Sequence, residues 1–203
     1  MTDFTDRVVA TAIGEWNRWG NQTYDVRNHA LRTGHKEGED GFYQIVGTYC
    51  LDGADIHGED GRDHGYPWSA VFISWVMKQS GAGTRFRYSS QHSVYIYQAI
   101  RDLLRRREEA SFWCYRLNEM KPAVGDLVCW GREGGVDYDH QKNGVYSGHT
   151  DIVVSVGDDT VDIIGGNVGD SVTRRPLRIN DSGFLIPVVL GGENLFGLMK
   201  NRL

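Results

Sequence analysis

The chain has 203 residues, of which 40% are hydrophobic, 24% charged and 11% aromatic, with 26 glycines and 4 prolines. This composition is typical of a globular protein and excludes disordered, collagen-like and coiled-coil chains. The net charge of −5 argues against nucleic-acid binding, which needs a clustered positive field. No apolar run approaches the roughly 20 residues of a membrane span, so none is expected.

Helical periodicity predicts four helices in the first half of the chain. The first lies near residues 5–19, the second begins near Phe42 and ends at Gly53, and the third covers 67–81. A fourth helix near 90–107 carries its predicted buried stripe at Val94, Tyr97, Ile100 and Leu104. The polar residues 21–40 are expected to form a loop.

From residue 112 onward the hydrophobic period changes from helical spacing to two, which predicts strands. These strands cover 112–117, 126–130, 149–156, 160–167 and 171–177, with shorter apolar runs after them. Helices followed by such strands favour an α+β fold with N-terminal helices packed on an antiparallel β-sheet. No repeat or Pro/Ser-rich linker interrupts the chain, so we expect a single domain over residues 1–203. No glycine-rich phosphate-binding pattern occurs, so we expect no nucleotide cofactor.

The segment from Tyr66 to Phe72 carries a candidate nucleophile. Pro67 suits the first helical position, which places Ser69 in the first turn. Unpaired backbone N–H groups and the positive end of the helix dipole favour a developing oxyanion there. The alternative is that Ser69 only satisfies the helix end or packs as a small residue.

A histidine beside a flexible glycine starts the strand predicted over 149–156. His149 is a candidate general base, although a histidine at a strand end can also be structural. A three-residue turn after this strand sets a register that puts Asn167 opposite His149, where its amide would orient the imidazole. Asp151 shares that face and is the competing orienting residue. A two-residue turn instead sends Asn167 to the other face.

Four segments together resemble the NlpC-type and CHAP-type papain-like cell-wall hydrolases. They are similar to that family's nucleophile helix at 67–75, its Pro-Gly-Asp-Leu-Val strand at 124–128, its general-base strand at 148–149 and its third-residue strand at 165–167. The motifs follow the family's order within residues 60–170 and leave an N-terminal helical extension over 1–55. The resemblance extends to a bacterial branch that includes small type VI secretion effectors such as TseH.

The resemblance implies a papain-like fold and a hydrolase that attacks an amide of the peptidoglycan stem peptide without a cofactor. It assigns Ser69 as nucleophile, His149 as base and Asn167 as orienting residue. It also implies an antibacterial effector that acts in the periplasm of a target cell. A cognate immunity protein and a component of the secretion apparatus are then its expected partners, beside the stem peptide.

The family carries a cysteine where this chain has Ser69. A thiolate forms near neutral pH beside a histidine, whereas a serine hydroxyl must lose its proton to the base during attack. Three explanations stay open: a genuine serine hydrolase, a degenerate fold that binds cell wall or a partner without turnover, and an engineered substitution. The three cysteines of the chain, Cys50, Cys114 and Cys129, are expected to be buried, because their number and spacing fit neither a disulfide framework nor a zinc site.

Residues 52–64 are rich in carboxylates and histidines. Their spacing matches neither an EF-hand nor a zinc signature, so we expect a solvated acidic loop and no metal. His64 lies five residues before Ser69 and is a second candidate acid/base group. The first residues lack the basic and apolar regions of a secretory signal. We therefore expect synthesis in the cytoplasm and, if the protein is exported, a route that reads no cleavable signal.

Overall fold

The computed structural model describes residues 3–63 and 65–203, and the candidate residue His64 lies outside them. The described residues form an α+β structure with four α-helices and nine β-strands. The helices are α1 (Asp3–Arg18), α2 (Tyr43–Ala54), α3 (Ser69–Gln79) and α4 (His92–Leu104). The strands are β1 (Gln22–Tyr24), β2 (Ala30–Arg32), β3 (Phe112–Arg116), β4 (Leu127–Gly131), β5 (Gly148–Val156), β6 (Thr160–Gly165), β7 (Thr173–Arg178), β8 (Val189–Leu190) and β9 (Glu193–Asn201).

All four predicted helices are present, but α4 buries a different stripe from the predicted one. Leu104 is 70% exposed, whereas His92, Tyr95 and Ile96 are buried, followed by Ala99 and Ile100. These positions repeat at i, i+3, i+4, i+7 and i+8 and face β3 and β5, on which α4 packs. None of the helices within 3–63 and 65–203 is long and apolar enough to cross a bilayer.

The strands form one mixed sheet in the order β2-β1-β7-β6-β5-β4-β9-β3, with β8 paired to β9. The five strands predicted over 112–177 are confirmed as β3 to β7. Two features differ from the expected antiparallel sheet. Residues 21–40 supply β1 and β2, and β1 runs parallel to β7. In addition, β9 inserts between β4 and β3, so these consecutive strands are not neighbours.

The sheet buries side chains on both faces, and β5 shows which residues point where. Ile152 and Val154 belong to the core on the helix side, together with Phe72 of α3. Val153 belongs to a second core on the opposite face, with Trp130 and other apolar residues of the strands. Because side chains alternate along a strand, even-numbered residues of β5 face the helices and odd-numbered ones face away.

Candidate functional site

Ser69 is the first residue of α3 and lines a cleft of about 340 Å³. Pro67 was predicted at the first helical position, but it lies two residues before the helix. Ser69 is nevertheless in the first turn, as predicted. Trp68 fixes the start of the helix, because it is buried, stacks on Trp19 at 5.2 Å and packs on Tyr49 at 5.8 Å between ring centroids. The packing of Trp68 thereby holds the neighbouring Ser69 at the wall of the cleft.

The first turn of α3 offers backbone donors beside Ser69. Trp68 makes no side-chain capping hydrogen bond, and the N–H of Phe72 bonds to the carbonyl of Trp68. The N–H groups of Ser69, Ala70 and Val71 consequently have no carbonyl partner within the helix. Since Ser69 and Ala70 both line the cleft, an anionic group there would meet the positive end of the helix.

The imidazole that contacts Ser69 is that of His92, which the sequence analysis did not single out. Ser69 Oγ lies 2.7 Å from His92 Nε2. His92 is the first residue of α4, is buried and lines the same cleft. Burial lowers the pKa of His92 well below its ordinary value, and the positive charge of the nearby Arg132 lowers it further. His92 is therefore neutral near pH 7, as a general base must be.

The other ring nitrogen of His92 faces two hydroxyl groups. Nδ1 lies 3.0 Å from Thr150 Oγ1 and 2.5 Å from Tyr95 Oη. For Nε2 to accept the Ser69 proton, Nδ1 must carry the ring proton and donate it to one of these oxygens. Burial raises the pKa of Tyr95 well above its ordinary value, so Tyr95 stays protonated and can donate in turn to Thr150, 3.2 Å away. The direction of these hydrogen bonds decides whether Nε2 of His92 can accept the proton of Ser69.

His149, the predicted base, has both ring nitrogens engaged elsewhere. Nδ1 lies 3.1 Å from a terminal guanidinium nitrogen of Arg132, and Nε2 lies 3.2 Å from Asp151 Oδ1. Arginine can only donate, so Nδ1 must be an acceptor and Nε2 must carry the proton that Asp151 accepts. In this arrangement His149 has no free lone pair for Ser69. Its ring stands 5.1 Å from that of His92.

The alternation of side chains along β5 explains why Thr150, and not His149, lies on the side of the nucleophile helix. Thr150 points to the helix side and reaches His92, whereas His149 and Asp151 belong to the odd-numbered set that faces away. A glycine–histidine motif marks the start of the strand but does not reveal which of two neighbouring residues faces the nucleophile. The buried stripe of α4 could have identified His92, because His92 begins its i, i+3, i+4 pattern.

Asn167, the predicted orienting residue, contacts the nucleophile helix instead of His149. The predicted register occurs where Ile152 pairs with Ile164, but next to the turn the pairing is shifted by one residue, with Val156 opposite Val161, and an irregularity between Val153 and Ser155 restores it. β6 ends before Asn167, whose φ of 55° takes the chain out of the strand. With its amide oriented to suit both neighbours, Asn167 accepts from the Trp68 backbone N–H at 3.2 Å and donates to Glu37 at 3.3 Å. The residue in hydrogen-bond contact with His149 is the competing candidate, Asp151.

Asp151 is the centre of a buried polar network. It is fully buried and accepts hydrogen bonds from Trp130 Nε1 at 2.7 Å and from Arg175 at 3.0 Å. Burial opposes its ionisation, but the Arg175 charge and the hydrogen bonds nevertheless hold the Asp151 pKa below its ordinary value. A Cβ on Gly165 would lie 2.0 Å from Asp151 Oδ1. The space at this glycine is thus filled by the carboxylate, which makes the network rigid.

The described part of the acidic loop, 52–63, contributes exposed side chains. Asp55 and His57 are 91% and 74% exposed at their side chains and contact each other at 3.1 Å. Over 3–63 and 65–203, no group of three or more His, Cys, Asp or Glu side chains is arranged to hold a metal ion. All three cysteines are buried and unpaired, as predicted.

Comparison with known proteins identifies a family but no characterised relative. No curated protein and no solved structure is significantly similar to the chain. Residues 38–193 match a family described as an uncharacterized protein conserved in bacteria (DUF2272). The match includes Ser69, His92, His149 and Asn167, and it reaches Glu193 at the start of β9. Because it covers most of the chain, the protein belongs to this bacterial family, DUF2272.

Proposed function

We propose that the protein is a serine-dependent hydrolase of amide bonds in peptidoglycan stem peptides, with Ser69 as nucleophile and His92 as general base. The observation that carries the proposal is the 2.7 Å contact between Ser69 Oγ and His92 Nε2 in an open cleft. A hydroxyl paired with a neutral imidazole is the arrangement that nucleophilic acyl transfer requires. The proposal keeps the nucleophile expected from the sequence and moves the base from His149 to His92.

The reaction uses groups that line the cleft. Ser69 Oγ attacks the amide carbonyl carbon while His92 Nε2 takes the hydroxyl proton, and the N–H groups of Ser69 and Ala70 stabilise the oxyanion. His92 then gives the proton to the leaving amine, so that the C–N bond breaks and an acyl-serine remains. A water molecule, deprotonated by His92, hydrolyses this ester and restores Ser69.

The substrate class and the papain-like assignment rest on the resemblance of four sequence segments to cell-wall hydrolases. The α+β architecture, in which the nucleophile helix packs against β5 and β6, the strands of the last two motifs, supports this relation. Under the same proposal the protein is an antibacterial effector that acts in the periplasm of a target cell. An immunity protein would then protect the producing cell by occupying the cleft.

Digestion of purified sacculi, with fragments resolved by mass spectrometry, tests the proposal. Wild type should release stem-peptide fragments, whereas Ser69→Ala and His92→Gln should each lose about 10²-fold or more of the rate. Ser80→Ala, at the other end of α3, and the exposed His140→Gln serve as matched controls and should retain activity. Full activity of Ser69→Ala would remove Ser69 as the nucleophile.

A non-catalytic cell-wall or partner-binding module is the second candidate. It is favoured by one observation: Nδ1 of His92 faces the hydroxyls of Tyr95 and Thr150 and not a carboxylate. Without a carboxylate to stabilise imidazolium, the base is weaker than in a Ser-His-Asp triad. This alternative predicts that sacculi retain wild type and Ser69→Ala equally and that neither releases fragments.

A further inference from the structure

A second cavity of about 300 Å³ adjoins the cleft of Ser69, because Arg132 lines both. Its wall also includes Asn167, whose side chain accepts from the N–H of Trp68, the residue before the nucleophile. Tyr24 and Asn28, from the segment predicted to be a loop, also line this cavity. Arg132 is thus the residue that the two cavities share.

The second cavity is rich in hydrogen-bond donors. Arg175 is 2% exposed, and two hydrogen bonds, to Asp151 and to Asn28, are found for its five N–H donors. Its Nε is buried without a partner, which is costly for a charged group. Arg132 presents a second guanidinium, and Tyr24 a hydroxyl. Such donors match a carboxylate, which only accepts.

A protein carboxylate already lies among these donors. Glu193 lines the cavity, forms an ion pair with Nε of Arg132 and lies 3.6 Å from Arg175. It begins β9 directly after Gly191 and Gly192, which have φ of 58° and 85° and form the turn from β8. Asp151 pairs with Arg175 and Glu193 pairs with Arg132, so both positive charges are matched, and what the cavity offers a ligand is N–H donors such as the unpartnered Nε of Arg175.

The geometry points to the second cavity as a subsite that binds a carboxylate of the peptide whose amide is attacked at Ser69, with Arg132 and Arg175 as its cationic groups. The inference rests on the proposed function, since it takes the stem peptide as ligand. Arg132 spans both cavities and is therefore the specificity-determining residue, while Glu193 competes with the ligand for the same donors. Peptides with free carboxylates should bind better than the same peptides with amidated ones.

Calorimetric binding to the Ser69→Ala protein separates recognition from turnover. The probes are a synthetic stem peptide and the same peptide with its carboxylates converted to amides. We expect the acid form to bind about tenfold more tightly or better, the effect of a hydrogen-bonded charge. Arg132→Gln should bring the ratio of the two dissociation constants, amide form over acid form, close to one. Glu193→Gln, which removes the competing carboxylate, should increase this ratio.

The two substitutions break the same ion pair and so control for each other. If the pair only stabilises the wall, both changes should shift binding in the same direction, and this result would overturn the inference. Equal binding of the acid and amide peptides, or binding of neither, would also overturn it. Hydrolysis by wild type is measured separately. If the peptide is cleaved but the acid form is not preferred, the proposed function stands and the subsite does not. If the acid form is preferred but the peptide is not cleaved, the subsite stands and the proposed function does not.

Discussion

Lowering the pH should destabilise the folded protein through His92. Its imidazole is buried among Ser69, Tyr95 and Thr150, and burial depresses its folded-state pKa well below the ordinary 6.5. The unfolded chain therefore takes up the proton first. Stability from the neutral imidazole is complete above about pH 6.5 and is lost as the pH falls towards the folded-state pKa.

The size of this effect follows from the unfolded-state titration. Between about pH 7.5 and about pH 5.5, a histidine that titrates near 6.5 only when unfolded lowers the free energy of unfolding by about 1.4 kcal/mol. Urea unfolding at both pH values gives this quantity for wild type and for His92→Gln. The difference between the two proteins isolates His92 from the other histidines.

An equal loss of stability in wild type and His92→Gln would refute the reasoning, because His92 would then be as easily protonated folded as unfolded. The same depressed pKa has a kinetic counterpart. If His92 is the base, the acid limb of kcat/KM should lie below pH 6.5, since the profile reports ionisation in the free enzyme. His140→Gln, at an exposed histidine, provides the matched control in both measurements.

Three further variants, one of them a double substitution, test the arrangement of the site. Gly165→Ala places a Cβ 2.0 Å from a buried carboxylate oxygen and should lower the free energy of unfolding in urea by about 1–3 kcal/mol. Gly134→Ala, whose Cβ would meet nothing within 4 Å, is the control and should change it little. Equal effects of the two substitutions would contradict the packing at Gly165. Tyr95→Phe combined with Thr150→Val removes both acceptors for His92 Nδ1 and should lower kcat with little change in KM; an unchanged kcat would exclude the Nδ1–H tautomer as a requirement. Asn167→Gly keeps the left-handed backbone and should lower the free energy of unfolding by about 1–2 kcal/mol through its lost hydrogen bonds; lost activity at unchanged stability would instead support its predicted role in orienting the base.

Sequence periodicity located most elements of this fold, because the helices and β3 to β7 each bury a continuous stripe or face. It failed where pairing partners are distant in sequence. The pairing of β1 with β7 is parallel and joins residues about 150 positions apart. A strand of three residues is too short to show a sequence pattern that would predict this partner. The insertion of β9 between β3 and β4 is likewise a property of the assembled sheet.

The predictions for the candidate site use signals that are local in sequence. The prediction of Ser69 as nucleophile uses the proline and glycine positions that bound the helix. The prediction of His149 as base uses its place beside a glycine at a strand start, which does not say which face of the strand meets the helix. His92 lies on the buried stripe of α4, but the set through Val94 and Tyr97 is also at helical spacing, and the packing of α4 on β3 and β5 decides between them.

The position of β9 affects how the protein acquires its shape. β3 and β4 are synthesised first and are close in sequence, so a direct hairpin between them is the fast local pairing, yet the native sheet holds them apart. The native sheet forms only when residues 193–201 lie between β3 and β4, and the ion pair of Glu193 with Arg132 depends on that placement. The wall between the two cavities therefore depends on a strand that is distant in sequence from the nucleophile helix.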